Sequence, residues 1–374
     1  MFWKRRTYLD IAAGMSGNPS SPHTEGRRAK KMLEDARTDI ARLLEVQADD
    51  VIFTSGATEA NAIAILGLLK AGDHALYLPS AHASIVENMK LASERAVTVE
   101  ALPIKNARVD CERLKELLRP ETRLVSMDAV CGETGVIWNT REVASLLQTH
   151  VGPPRSYMGG KPLLHVDASQ APLTEKISRA HFGADRMVLD GAKVGSRGIG
   201  ALIAHRTISL EPLYRGGGQE RGLRPGSEVP ELAQSFAAAL CAAARNRQDF
   251  RAHAERARIG LISLIRRIGP ISEILFNEGG AQAPNMLNLS LPGRDTDYLV
   301  ALLDEAGFAV STRSACESDS EKGSRAVFVL TRDQERARAT LRISWGPFVG
   351  TGELTRFAQA LTRAVAFIDN NNQR

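Results

Sequence analysis

The sequence has 374 residues, of which 43% are hydrophobic and 24% charged, a balance typical of a globular protein with room for more than one core. No stretch approaches the roughly 18 apolar residues of a membrane-spanning helix, and no signal peptide follows the basic first residues. We therefore expect a cytoplasmic protein without a membrane segment. The net charge of +5 comes from basic residues mixed with acids along predicted helices, which favours solvated helix surfaces over a nucleic-acid site.

Apolar, β-rich runs alternate with helical patterns through the first two thirds of the chain. Near-continuous apolar strands with helices between them predict an α/β protein with a mainly parallel sheet, because both faces of such strands are buried. The predicted strands are DDVIFTSG, HALYLPS, VTVEALPI, TRLVSMDAV, KPLLHVDAS, ADRMVLDG and GIGALIAHR, and ATEANAIAILGLLKAG is the clearest intervening helix.

The pattern changes near Pro230, where a long helical stretch begins. A few strands and helices follow it, among them NMLNLSLPG, DTDYLVALLDEAG, ATLRISWG and the closing helix GELTRFAQALTRAVAFID. We expect a large domain over residues 14–245 and a smaller α+β domain made of residues 1–13 and 246–374, joined by a long helix near residue 245.

The cysteines are Cys111, Cys131, Cys241 and Cys316, which lie far apart in the chain. This spacing indicates neither a disulfide framework nor a metal site built within one motif. Each thiol is then either an inert core residue or a reactive group.

Two residues that follow neighbouring predicted strands suggest cofactor chemistry. Asp167 ends the strand KPLLHVD, and Lys193 follows the next strand in the turn LDGAKVGSRGIG. Alone, Asp167 would be a helix cap and Lys193 a solvated side chain. Together they fit pyridoxal phosphate, which forms a Schiff base with a lysine and becomes an electron sink when a carboxylate keeps its pyridine nitrogen protonated.

The motif TSGATEAN runs from a predicted strand into a helix and is suited to an anion. Small residues let the backbone approach a phosphate, and the first helical N–H groups, those of Ala57 and Thr58, face it with a favourable dipole. The Thr58 hydroxyl adds a donor. An ordinary helix cap is the alternative, and the motif by itself is weak.

Several motifs in order resemble the cysteine desulfurases of the nitrogen-fixation and iron–sulfur-assembly type, within the class V aminotransferase group. The resemblance covers nearly the whole chain and implies a fold type I transferase that binds pyridoxal phosphate and forms a homodimer. The motifs are YLD at 8–10, GNPSSPH at 17–23, IFTSGATEAN at 52–61, HVDASQ at 165–170, GIGAL at 198–202, GGGQERGLRPGSE at 216–228, STRSAC at 311–316 and LRISWG at 341–346.

The resemblance implies roles for single residues at the cofactor. Lys193 corresponds to the Schiff-base lysine, Asp167 to the pyridine carboxylate, and His82 to the histidine that stacks on the ring and moves protons there. The further cofactor contacts that it implies are Ala57 and Thr58 at the phosphate, Gln170 at the ring hydroxyl, and Ser227, which reaches the phosphate across the dimer interface.

Other residues are implied at the substrate. Arg342 corresponds to the arginine that pairs with the substrate carboxylate, a task suited to its forked guanidinium. Asn285 lies in a segment that usually lines the substrate pocket. Cys316 corresponds to the sulfur acceptor, and its small, polar neighbours differ from those of a core cysteine. The implied reaction takes sulfur from L-cysteine, leaves a persulfide on Cys316 and passes it to a scaffold or carrier protein.

The chain departs from the family at several positions. Cys131-Gly132-Glu133 replaces the usual Asn-Asn-Glu, and Asp190 and Ala192 replace a serine and a histidine that bind the phosphate. If Asp190 faced the phosphate at 4 Å, repulsion of about 4 kcal/mol would be expected at an effective dielectric near 20. The segment before GNPSS is also shorter than usual, and the sequence ends early, which would affect the substrate entrance and partner docking.

Two rival functions stay open at this point. One is another enzyme with the same cofactor, such as a selenocysteine lyase or an aminotransferase, although an aminotransferase needs no thiol at Cys316. The other is a degenerate, non-catalytic scaffold of the same fold. The missing phosphate ligands favour it, whereas five intact residues oppose it: Lys193, Asp167, His82, Cys316 and Arg342.

Overall fold

The structure, a computed structural model, describes residues 7–15, 17–150, 160–267, 274–312 and 323–372. The first nine described strands, in chain order, are β1 (Val51–Thr54), β2 (His74–Tyr77), β3 (Thr98–Ala101), β4 (Ile104–Lys105), β5 (Arg108–Val109), β6 (Thr122–Asp128), β7 (Leu163–Asp167), β8 (Arg186–Asp190) and β9 (Gly200–Ala204). All but β4 and β5, which form a small hairpin, belong to one large sheet.

The large sheet has the order β1-β9-β8-β7-β6-β2-β3. Strand β9 runs antiparallel to both β1 and β8, whereas the other described neighbours are parallel. Strands β7 and β9 are buried at every position, as expected where helices cover both faces of a parallel sheet. The predicted α/β class with a mainly parallel sheet is confirmed.

Helices connect and cover these strands. Helix α1 packs along α7, while α2 packs against α3 and against strands β8 and β9. The described helices include none that is both long and apolar enough to cross a membrane. The helices up to the long one are α1 (Thr24–Leu44), α2 (Ala57–Leu66), α3 (Ala83–Glu94), α4 (Cys111–Leu117), α5 (Thr140–Thr149), α6 (Arg179–Phe182) and α7 (Pro230–Ile265).

A small antiparallel sheet follows α7. Its strands lie in the order β10 (Leu275–Phe276), β11 (Met286–Ser290) and β12 (Thr340–Ser344). A separate cluster of buried apolar side chains, all between Phe250 and Ile368, joins this sheet to the last half of α7 and to two of the C-terminal helices. The described helices of this part are α8 (Thr296–Glu305), α9 (Arg325–Thr331), α10 (Gln334–Arg338) and α11 (Thr351–Asn372).

The carboxyl edge of the parallel strands gathers the predicted cofactor motifs. Thr54 at the end of β1 pairs with Gly200, and Gly200 pairs with Asp190 at the end of β8. On the next two strands of the sheet, β7 and β6, Asp167 pairs with Asp128. The turns after β1, β7 and β8 therefore open on the same edge, where parallel α/β sheets bind ligands.

Candidate cofactor and active site

The carboxylate of Asp167 is only 6% exposed at the end of β7. The side-chain nitrogen of Asn61, in α2, donates to its Oδ2 at 2.7 Å, and the backbone N–H of Ser169 donates to its Oδ1 at 2.9 Å. The Ser169 bond resembles the local capping role that the sequence left open, but the Asn61 bond comes from another element. Both oxygens can still accept one more hydrogen bond, which suits a cationic N–H donor.

The N-terminus of α2 is shaped to bind an anion. Gly56 is its cap residue and provides no side chain to the first turn. A Cβ on Gly200 would lie 2.7 Å from the backbone carbon of Gly56, so glycine at 200 lets β9 approach this turn. The amides of Ala57 and Thr58 make no hydrogen bond to any residue that the structure describes, and Thr58 is exposed. These donors lie at the N-terminus of the helix, where the helix dipole favours an anion.

Glu59 adds a negative charge in the first turn of α2, but its carboxylate is engaged. It accepts the backbone N–H of Ser55 at 2.6 Å and the Tyr214 hydroxyl at 2.9 Å, and Arg224 lies 3.6 Å away. Burial would raise the pKa of Glu59, but these hydrogen bonds and the Arg224 charge lower it overall. The carboxylate therefore closes the turn before the helix.

Lys193 lies in a 3₁₀ turn, Gly191–Val194, directly after β8. Its side chain is exposed, and no hydrogen bond or ion pair joins it to another residue of the described chain. The Asp190 carboxylate accepts the Ala192 N–H at 2.8 Å and so caps this turn, which ends at Gly195 with φ of 91°. Asp190 therefore supports the backbone that carries Lys193.

A chain of hydrogen bonds joins His82 to Asp167. His82 precedes α3 and is exposed, with its Nδ1 at 2.8 Å from Ser84 Oγ and 3.2 Å from the Ser84 backbone nitrogen. The same Oγ lies 2.8 Å from Asn61 Nδ2, which also binds Asp167. Two residues predicted to contact the cofactor ring are thus connected through two buried polar side chains that sequence reasoning did not single out.

Asp128 is a second buried acid at this edge that sequence reasoning missed. It is 4% exposed and accepts the His82 backbone N–H at 3.4 Å. Burial, and then the negative charge of Asp167, raise the pKa of Asp128 well above its ordinary value, against the His82 N–H and the charge of Arg325. Arg325 also donates to the carbonyl of Ala81 at 2.9 Å. An acid at the end of an apolar strand was the available signal, as it was for Asp167.

The structure brings Gly132, Gln170 and Arg342 together. A guanidinium nitrogen of Arg342 donates to the carbonyl of Gly132 at 3.1 Å. A Cβ on Gly132 would lie 3.1 Å from Gln170 Nε2, so the Gln170 amide lies beside the position where the family has an asparagine. The neighbouring Cys131 is 1% exposed, and burial, followed by the charges of Glu133 and Asp128, raises its pKa to about 11.

One further contact links the C-terminal part to the site, and another lies within the region of the small sheet. Ser324 Oγ donates to Glu133 Oε2 at 2.7 Å, and both residues are buried. Asn285 donates its side-chain N–H to the carbonyl of Trp345 at 3.0 Å. The Asn285 amide nitrogen therefore holds the end of β12, and its predicted substrate contact stays a prediction.

The last two predicted site residues are Ser227 and Cys316. Ser227 is exposed, and in the described parts of this chain only its carbonyl takes a hydrogen bond, from Arg224 at 3.4 Å. Its predicted contact is with the cofactor of a partner subunit. Cys316 lies outside the described residues.

The donor set fits pyridoxal phosphate. A helix N-terminus with available amides suits the phosphate, a lysine suits the aldehyde, and a buried carboxylate suits a protonated pyridine nitrogen. The exposed His82 ring offers a flat surface at the same edge. The Asn61 amide oxygen and the Ser169 hydroxyl are buried without a hydrogen-bond partner in the described chain, which indicates a polar interior at this edge.

Comparisons with known proteins agree with this reading. "Cysteine desulfurase IscS 1" of Archaeoglobus fulgidus is 30% identical over 351 residues, covering 92% of this chain and 88% of that protein. "Cysteine desulfurase, mitochondrial" of Candida albicans is 30% identical over 369 residues, covering 96% and 73%. A solved "NifS-like protein" superposes with a TM-score of 0.84 at 26% identity, covering 94% and 92%. The aminotransferase class-V model matches residues 7–357, and the chain belongs to that family.

Proposed function

We propose that the protein is a cysteine desulfurase that removes sulfur from L-cysteine and leaves L-alanine. The observation that carries the proposal is the convergence of Asp167, the N-terminus of α2 and the Lys193 turn at one edge of the sheet. Two relatives of this chain named cysteine desulfurase are each 30% identical to it, over 92% and 96% of its length. The enzyme depends on pyridoxal phosphate, as its family does.

The cofactor, when bound, supplies an electron sink for bonds broken at the substrate's α and β carbons. Lys193 would hold its aldehyde covalently, and Asp167 would accept the pyridine N–H. The Ala57 and Thr58 amides would bind the phosphate. Asp190 would serve this arrangement indirectly, because it fixes the turn on which Lys193 lies.

The substrate groups have matching partners nearby. Arg342 would bind the substrate carboxylate through its guanidinium, which the Gly132 carbonyl orients at 3.1 Å. Gln170 beside Gly132 would donate to the cofactor's ring hydroxyl. His82 would cover one face of the ring and exchange a proton there. The Lys193 amine would carry the α-proton of the substrate.

Cys316 is our candidate for the sulfur acceptor. Burial raises the pKa of Cys111, Cys131 and Cys241, which makes all three poor nucleophiles near neutral pH. The Cys316 thiolate would attack the substrate sulfur while the carbon–sulfur bond breaks, with its electron pair going to the substrate carbon. That carbon then takes a proton, so cysteine and a thiol yield alanine and an enzyme persulfide.

We further propose a cytoplasmic homodimer with Ser227 at the partner's cofactor, and transfer of the persulfide to a sulfur-acceptor or iron–sulfur scaffold protein. The division into domains at residues 14–245 and 246–374, the latter with residues 1–13, belongs to the same proposal. It is supported by the separate apolar cluster between Phe250 and Ile368.

Cys316→Ala tests the proposed reaction, with Cys241→Ala as the matched control. With L-cysteine and a reductant, wild type should release one sulfide for each alanine, and Cys241→Ala should do the same at the wild-type rate. Cys316→Ala should form neither and yet keep its cofactor absorption band, because the thiol does not hold the cofactor. Sulfide release from Cys316→Ala at the wild-type rate would reject the assignment of the nucleophile, and a wild type without alanine formation would reject the function.

A further inference from the structure

The hydrogen bonds at His82 determine which of its ring nitrogens carries the proton. The backbone nitrogen of Ser84 lies 3.2 Å from His82 Nδ1, and the Ser84 Oγ lies 2.8 Å from it. A backbone N–H can only donate, so Nδ1 accepts. The neutral ring therefore carries its proton on Nε2.

Asn61 determines the direction of the Ser84 hydroxyl. Its side-chain nitrogen lies 2.8 Å from Ser84 Oγ and 2.7 Å from Asp167 Oδ2. The opposite amide orientation would place the Asn61 oxygen against the Asp167 carboxylate, so the nitrogen must face the carboxylate. Its two N–H groups donate to Asp167 Oδ2 and to Ser84 Oγ. Ser84 Oγ therefore accepts a hydrogen bond from Asn61, and its own O–H donates to His82 Nδ1.

Burial makes these bonds difficult to replace. Asn61 is 0% exposed and Ser84 is 6% exposed, so water cannot readily take the place of either partner. Four side chains thus form one chain of hydrogen bonds: Asp167 at the end of β7, Asn61 in α2, Ser84 in α3 and His82 at the N-cap of α3. Within it, Asn61 donates to Asp167 on one side and to Ser84 on the other.

We propose that Ser84 and Asn61 are positioning residues that hold His82 as its Nε2–H tautomer in a fixed orientation relative to Asp167. This inference rests on the proposed function, in which His82 and Asp167 both contact the cofactor ring. Because Asn61 donates in both directions, no proton passes along the series. Its effect is orientation: one tautomer of His82 is presented to the ring in every molecule.

The chain contains a matched control for this arrangement. His205 Nδ1 lies 2.7 Å from Thr207 Oγ1 and 3.3 Å from the Thr207 backbone nitrogen, which repeats the local His82–Ser84 geometry. This second pair follows β9 at the opposite end of the strand from Gly200, away from the site. Thr207→Ala therefore removes the same kind of hydroxyl without touching the proposed machinery.

The experiment compares holoenzyme of wild type, Ser84→Ala, Ser84→Thr and Thr207→Ala. Nitrogen-15 spectra of the histidine rings, with His82 assigned through His82→Gln, report the tautomer and the hydrogen bonding of Nδ1. Circular dichroism of the cofactor band reports the ring environment. Ser84→Ala keeps the backbone N–H at His82 Nδ1, so the Nε2–H tautomer should remain. Loss of the hydroxyl donor should shift the Nδ1 resonance, change the cofactor band and lower kcat about tenfold with KM within twofold, as expected for one lost hydrogen bond. Ser84→Thr should restore all three, and Thr207→Ala should match wild type.

The inference is overturned if wild type lacks the Nε2–H tautomer, or if Ser84→Ala keeps the wild-type Nδ1 resonance and cofactor band, whatever happens to its melting temperature. It is also overturned if Ser84→Ala and Thr207→Ala reduce kcat equally, since the hydroxyl at the site would then have no special role. A wild type that binds the cofactor but forms no alanine rejects the proposed function. The Nδ1 resonance and the dichroism still decide the inference in that case.

Discussion

Asp190 offers the sharpest test of how this chain binds its phosphate. Its carboxylate caps the Lys193 turn by accepting the Ala192 N–H at 2.8 Å. In the sheet, Asp190 of β8 pairs with Gly200 of β9, and Gly200 pairs with Thr54 of β1. Two strand spacings, or about 10 Å, therefore separate Asp190 from the end of β1, where the turn into α2 begins. The sequence alone allowed a distance of 4 Å and a much larger repulsion.

The longer distance sets the expected magnitude. Two unit charges 10 Å apart repel by about 1.7 kcal/mol at an effective dielectric near 20. A Debye length of about 8 Å at physiological salt reduces this to roughly 0.5 kcal/mol. A phosphate with nearly two charges would then gain about 1 kcal/mol from removal of the Asp190 charge, which is about fivefold in affinity.

Three substitutions separate the charge of Asp190 from its capping role. Asp190→Asn and Asp190→Ser remove the charge and keep an acceptor for the Ala192 N–H, so both should bind pyridoxal phosphate about fivefold more tightly. Asp190→Ala removes the charge and the cap, and loss of a cap costs about 0.5–2 kcal/mol. It should therefore bind less tightly than Asp190→Ser and unfold at a lower temperature.

The assay is dialysis to the apo form followed by titration with fresh cofactor at low and high salt. The gain in Asp190→Asn should shrink as salt rises, because screening weakens the repulsion in wild type. Weaker binding in both Asp190→Asn and Asp190→Ser at every salt concentration would refute the electrostatic argument. It would mean that the carboxylate itself, through the Lys193 turn, is required to form the site.

Three other predictions concern assembly, pH and the family asparagine. Sedimentation should show a dimer at assay concentration, and Ser227→Ala should weaken cofactor retention; a fully active monomer would reject the predicted contact across the interface. Burial, and then the charge of Arg186, lower the pKa of His165 to about 3. Between about pH 6.5 and pH 3, His165 is therefore protonated in the unfolded chain but neutral in the folded one. The free energy of unfolding should fall by up to about 1.4 kcal/mol for each pH unit of acidification in this range. The pH dependence of unfolding in His165→Gln should lack this contribution. Gly132→Asn, whose Cβ would lie 3.1 Å from the flexible end of Gln170, should tighten cofactor binding roughly two- to tenfold through one added hydrogen bond, whereas Gly132→Ala should not.

Much of the fold followed from local patterns in the sequence. Strands β6 to β9 are buried on both faces, which requires apolar residues in a continuous run, and these runs predicted them. Helix α7 is buried along one stripe, which requires apolar residues three or four positions apart, and this spacing predicted it. The antiparallel direction of β9 was not predicted. The short connection over residues 191–199 was the available signal, since a parallel crossover needs about a dozen residues or more.

The sequence by itself determined the types of residue at the site and the local turns that carry them: the TSGATEAN helix start, Asp167 at a strand end and Lys193 after the next strand. Only the tertiary structure decided how they are supported. Asn61 reaches Asp167 across 106 residues, and Ser324 reaches Glu133 across 191. Asp128 becomes a partner of Asp167 only because β6 lies beside β7. Strand order and burial, which arise from the packing of the whole chain, decide which distant polar groups meet and in which direction they donate, and no local pattern contains that information.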